Sequence, residues 1–144
     1  MRLSREKCAL LKERRSHREK AAWEAKNLGI NIALTCGRIT IFRTTLKELG
    51  FPPYYRFLLD QEKRQFAIEC CEFESSGSHQ LPEERREHYD VISIDLVRFI
   101  YRLCGWDKKS SYRIKGIAIP SRRMVVFDLT KALRYQEHKM VGES

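Results

Sequence analysis

Catalytic and cofactor signatures are missing from this sequence of 144 residues. It contains no G-x-x-x-x-G-K-[ST], no G-x-G-x-x-G, no H-E-x-x-H and no G-x-S-x-G. The phosphate cradles, zinc-protease helices and nucleophile elbows that those spacings build are therefore not encoded. C-x-x-C is absent as well. The five cysteines, Cys8, Cys36, Cys70, Cys71 and Cys104, are odd in number and scattered. The adjacent pair, if on a strand, points to opposite faces and cannot close on a metal. They read as small core residues, and with nothing resembling a secretory signal before them a reducing cytoplasm is the expected compartment. No apolar run approaches the roughly 20 residues of a membrane-spanning helix, so no membrane partner is expected. These absences lead to an expectation of no enzyme activity, no cofactor and no metal.

Acidic residues are in the minority. The 19 Asp and Glu stand against 28 Lys and Arg, a formal net charge of +9 and a sequence pI near 9.5, which makes a polyanion the first partner to consider. The excess is uneven, since residues 1–28 hold nine basic and four acidic residues and lack both Gly and Pro after Met1. That stretch predicts a charged helix or arm ending near Gly29, with Trp23 available to anchor it to the body and Arg14, Arg15 and Arg18 as candidate nucleic-acid contacts. A chain of this length is expected to form one domain that buries about 68–70% of its extended surface.

What is present is one pattern written twice. Arg38–Ile41 (RITI), the run TTLKELG, the alternating YYRFLL, a charged turn and FAIECC are followed by Val91–Ile94 (VISI), DLVRFIYRLCG, SYRIKGIAI, the turn PSRR and MVVFDL. Each strand–helix–hairpin unit has an apolar face it cannot cover alone, which predicts one shared core, a pseudo-dimer within a single chain. The expected boundaries are an arm over 1–28, a first repeat over 29–74, a flexible linker over 75–88, a second repeat over 89–134 and a tail over 135–144.

Within the first repeat, INIAL and ITIF read as strands joined through Gly37 at positive φ. Thr44 or Thr45 is placed to cap the short helix, and Gly50 to end it before Pro52 and Pro53. Tyr55, Phe57 and Leu59 alternate with Arg56, and Phe66, Ile68 and Cys70 continue the apolar face. In the linker, His79 and His88 read as surface histidines, and Glu83 and Glu84 as solvating acids. Leu96, Val97, Ile100, Leu103 and Cys104 recur at helical spacing up to Gly105. Tyr112, Ile114, Gly116, Val125 and Phe127 form a second hairpin around Pro120, and residues 130–141 read as a short terminal helix.

Gly37-Arg38, the β triplet Ile39–Ile41, Leu49-Gly50 closing a helix, the strand Phe57–Leu59, the acidic turn Asp60–Glu62 and the last strand Arg64–Glu69 follow one another between Gly37 and Glu69. This order resembles the AbrB/MraZ/SpoVT group of swapped-hairpin DNA-binding domains. The resemblance implies an α+β fold in which two hairpin units interleave into one barrel and present basic residues to DNA. The second repeat would supply what a second subunit supplies in other members. The resemblance also implies that Arg38, at the motif arginine, and Lys47, at a basic helix position, contact DNA. Arg43 joins them from strand alternation opposite Phe42. The second repeat lacks the Gly-Arg pair and has a longer helix, so it is expected to complete the barrel and not to touch a ligand.

Lysine and arginine neutralise phosphates and release counterions, and the arginine fork reads guanine edges. The resulting expectation is a non-enzymatic, double-stranded-DNA-binding transcriptional regulator: a monomer with a pseudo-dimer core, or a homodimer. The alternative is a small basic inhibitor from a mobile element, an anti-CRISPR or other anti-defence protein, that docks on a protein or nucleoprotein enzyme. Fold alone does not separate the two.

Overall fold

The computed structural model describes residues 22–135. Arg14, Arg15, Arg18, Cys8 and the far end of the expected terminal helix lie outside them. Strands β1 (Gly29–Ala33) and β2 (Arg38–Phe42) pair antiparallel, with Ile30 opposite Ile41 and Ile32 opposite Ile39. The two-residue period of a strand sends these four isoleucines to one side, where all are at 0% exposure. At the bend between them Gly37 has φ +61°, and a Cβ there would lie 2.5 Å from the Cα of Ile94. Only glycine fits both the conformation and the space.

Helix α1 (Arg43–Glu48) leads to the hairpin β3 (Tyr54–Asp60) and β4 (Gln65–Cys71). Strands β5 (Ser78–Gln80) and β6 (His88–Ile92) precede helix α2 (Ile94–Cys104). A second hairpin follows, β7 (Ser111–Ile119) with β8 (Met124–Asp128), and then the short β9 (Leu133–Tyr135). The strands form one antiparallel sheet in the order β5-β3-β4-β8-β7-β1-β2-β6, with β9 beside the start of β7.

The long strand β7 joins the two parts of the sheet. Its first half pairs with β1, Ile114 opposite Ile30, and its second half with β8, Gly116 opposite Phe127. The sheet curls into a half-barrel, so that its end strands β5 and β6 line one cleft of about 420 Å³. Its concave face holds the core. Phe66 on β4 stands opposite Phe127 on β8 with ring centres 6.1 Å apart, and Leu46 of α1 and Ile100 of α2 close the interior at 0% exposure. The chain is thus an α+β protein with a barrel-like antiparallel sheet.

Several local expectations are corrected. The stretch 75–88 is not a plain linker, because β5 pairs with β3, Leu81 is buried and His88 opens β6. His79 is half-buried, tilted against Tyr55 and Phe57 with ring centres 5.5 and 4.8 Å away, and burial pushes its pKa down. VISI is not the counterpart of RITI. The strand ends at Ile92, Ser93 is the N-cap and Ile94 begins α2. Thr44 and Thr45 do not cap α1: the buried Thr45 hydroxyl accepts the Gly29 N–H and donates to the Gly29 carbonyl, and Thr44 donates to Asn27. Both threonines tie the helix to the start of β1. Residues 129–131 form a 3₁₀ turn and 133–135 a strand where a helix was expected. Of the cysteines expected in the core, Cys70 and Cys104 are half-buried and pack against it, Cys71 is half-buried, and Cys36 is exposed.

Candidate nucleic-acid interface

Because Ile39 and Ile41 point inward, Arg38 and Thr40 point to the outer face of β2. Arg38 lines a shallow cleft of about 190 Å³ there with Asn31, Thr40, His88, Asp90 and Tyr135. This surface is of mixed charge. The Thr40 hydroxyl donates to Asp90 at 2.6 Å. Glu24 places one oxygen 2.7 Å from Nε2 of His88 and the other 4.0 Å from Arg113. His88 is exposed, as read from the sequence, and partners Glu24. Trp23, next in the chain, meets Phe42 edge-on at 5.8 Å, and the Arg113 guanidinium lies 4.7 Å from its ring centre. The helical turn at 22–26 is thereby laid on the outer sheet face with Trp23 as its anchor.

Arg43 is the first residue of α1 and not the last of β2, so strand alternation does not set its direction. At about 3.3 Å per residue it stands on the order of 16 Å along the chain from Arg38. The structure brings Arg43 together with Lys47, four residues on along the same helix face, and separates both from Arg38. Lys47 is exposed. The Arg43 guanidinium is 4.0 Å from Glu87 and 5.9 Å from the ring centre of Phe51.

Arg98 and Arg102 are likewise four residues apart and exposed, on the side of α2 away from the buried Val97 and Ile100. The two helices also end alike. Gly50 N–H donates to the Lys47 carbonyl at 2.9 Å and Phe51 N–H to Leu46 at 2.8 Å; Gly105 N–H donates to Arg102 at 3.3 Å and Trp106 N–H to Tyr101 at 2.9 Å. This is the Schellman closure, which needs a left-handed residue, and Gly50 and Gly105 have φ of +76° and +63°. Counting back from each glycine, cations occupy the third and seventh positions: Lys47 and Arg43 in α1, Arg102 and Arg98 in α2. Arg98 and Arg102 are not among the residues singled out from the sequence, because the second repeat lacks Gly-Arg. The signal that finds them is their four-residue spacing opposite the Val97, Ile100 and Cys104 stripe.

Four cations on two exposed helix faces can neutralise phosphates without any chemistry of their own. Among the described residues no group of three or more His, Cys, Asp or Glu side chains could hold a metal ion. No family model matches the chain, and no curated protein or solved structure matches it either.

Proposed function

We propose that the chain is a non-enzymatic DNA-binding protein, a transcriptional regulator of AbrB-like architecture in which two fused strand–helix–hairpin units make one pseudo-dimeric barrel. The observation that carries this reading is the reciprocity of the backbone pairing. Setting Arg38 equivalent to His88 and Phe42 to Ile92 maps the β2–β6 ladder onto itself, with Arg38 opposite Ile92, Phe42 opposite His88 and Thr40 opposite Asp90 at the centre. The bond from Ser93 N–H to the Gly37 carbonyl, 2.8 Å, then has its counterpart in Arg43 N–H to Glu87, 3.1 Å. The β4–β8 ladder repeats the relation about Ala67 opposite Val126. Beyond it β5 flanks β3 as β1 flanks β7, Gln80 opposite Tyr54 and Asn31 opposite Arg113.

Under this relation Phe66 and Ile68 correspond to Val125 and Phe127, all at 0% exposure; α2 is the longer helix, and it is counting back from the glycines that end the two helices that matches the Arg43/Lys47 pair with Arg98/Arg102. Two equivalent cation pairs suit a duplex, whose two strands are themselves related by two-fold axes. Titrating a labelled duplex at increasing salt tests the reading. Four phosphate contacts give a slope of about −3.6 for log K against log salt. Absence of binding at low salt would remove DNA as the partner and favour docking on a protein instead.

A further inference from the structure

We propose that the cleft beside α2 binds a phosphorylated nucleoside, its base on Trp106 and its phosphate among Arg98, Arg102 and Lys108. The cleft measures about 720 Å³, within the range of about 300–1,000 Å³ typical of small-molecule sites. Arg98, Arg102 and Lys108 line it against the single carboxylate of Asp95, with Tyr101 and Trp106 as its aromatic members. Three cations facing one acid select an anion. A flat indole beside them selects an anion that carries a planar ring.

The indole is held in place before any ligand arrives. It stacks on Tyr112 at 4.1 Å and 15° and meets Tyr101 edge-on at 5.2 Å. The following turn is pinned by the same two tyrosines. The Tyr112 hydroxyl accepts the Asp107 N–H at 2.9 Å, and the Tyr101 hydroxyl donates to the Ser110 carbonyl at 2.6 Å. Asp107 accepts from the Lys109 N–H and the Ser110 hydroxyl at 3.1 and 3.0 Å. A site whose floor is already ordered loses little freedom on binding. The corresponding ring after α1 is differently placed: the Arg85 guanidinium lies over Phe51 at 4.2 Å, where a base would otherwise stack. The site therefore belongs to the second unit.

Nucleotide and duplex would share Arg98 and Arg102. The test below contains no DNA, so its outcome is independent of the duplex reading. Calorimetric titration of the full chain with AMP, GMP, CMP and UMP, and with adenosine and inorganic phosphate as controls, decides the matter. At least one of the four mononucleotides is expected to bind saturably, about tenfold or more tighter than either control. The Arg98→Ala/Arg102→Ala variant, both side chains being exposed, should keep its far-ultraviolet dichroism and lose about tenfold or more in that affinity. In a Trp23→Phe background the bound nucleotide should quench the fluorescence of the remaining indole. No saturable binding up to about 10 mM, equal affinity for phosphate alone, or an unchanged affinity in the double variant would overturn the proposal.

Discussion

The aromatic residue after each helix, Phe51 beyond α1 and Trp106 beyond α2, donates the same closing backbone bond and meets different neighbours. Phe51 lies under the Arg85 guanidinium at 4.2 Å, with Arg43 at 5.9 Å. Trp106 stacks on Tyr112 at 4.1 Å, stands edge-on to Tyr101 and keeps part of its surface on a cleft of about 720 Å³. The backbone closure needs only a left-handed glycine and an apolar residue after it. What covers the ring comes from elsewhere in the chain. In the first unit it is the stretch before β6, and in the second a tight turn held by Asp107. On the proposed reading, two equivalent frames would carry a shared basic surface, and the second alone the nucleotide pocket.

The largest effects are expected in the core that both halves line. Phe66→Ala and Phe127→Ala, each removing a ring at 0% exposure, should cost about 3–5 kcal/mol apiece in urea unfolding. Because the rings face each other across β4 and β8, the double variant should cost less than the sum. Full additivity, or a stable folded monomer from residues 29–74 alone, would mean that the units do not share one core.

Glycine substitutions at the two helix ends and at the β1–β2 bend should act at smaller magnitude. Gly50→Ala and Gly105→Ala meet nothing within 4 Å at the new Cβ, so each should lose only the left-handed penalty of about 1–2 kcal/mol, and by similar amounts. Gly37→Ala adds a clash with the backbone of Ile94 and should cost about 2–4 kcal/mol. Thermal melts of the three variants check the order; clearly unequal costs at Gly50 and Gly105 would show that the two closures are not equivalent.

The smallest effect concerns pH. Burial against Tyr55 and Phe57 lowers the His79 pKa, so the fold favours the neutral ring. The sign follows: its contribution to stability is fully present above the unfolded value of about 6.5 and is lost as pH falls through the lower folded value. Melting temperatures of the wild type and of His79→Gln between about pH 7.5 and 5 should diverge, the variant losing less on acidification. Using the variant as reference separates His79 from the His88–Glu24 pair. Parallel curves would remove His79 from the account.

The strands with clean alternation, INIAL, ITIF and both hairpins, were legible because each sends isoleucine, valine or aromatic residues to one face. So was α2, whose stripe ends at Gly105. β6 was misplaced because His88 and Asp90, on its outer side, merge with the charged stretch before it, while Tyr89 and Val91 face the core. β5 is three residues of Ser-His-Gln, too short for a periodic signal and held by β3. Among the candidate contacts, the spacing of Arg43 and Lys47 was readable, but their separation from Arg38 was not, since starting the helix at residue 43 redirects that side chain. The stack of Trp106 on Tyr112 depends on a turn closing across the intervening residues, which no local pattern announces.

The claim that both halves present matching cation pairs to one duplex is tested most directly by the salt dependence of duplex affinity in Arg43→Ala/Lys47→Ala and in Arg98→Ala/Arg102→Ala. Each double variant, with a melt close to wild type, should reduce the slope of log K against log salt by about 1.8, two phosphate contacts at about 0.9 each. A reduction confined to one pair, or slopes unchanged in both, would contradict the account.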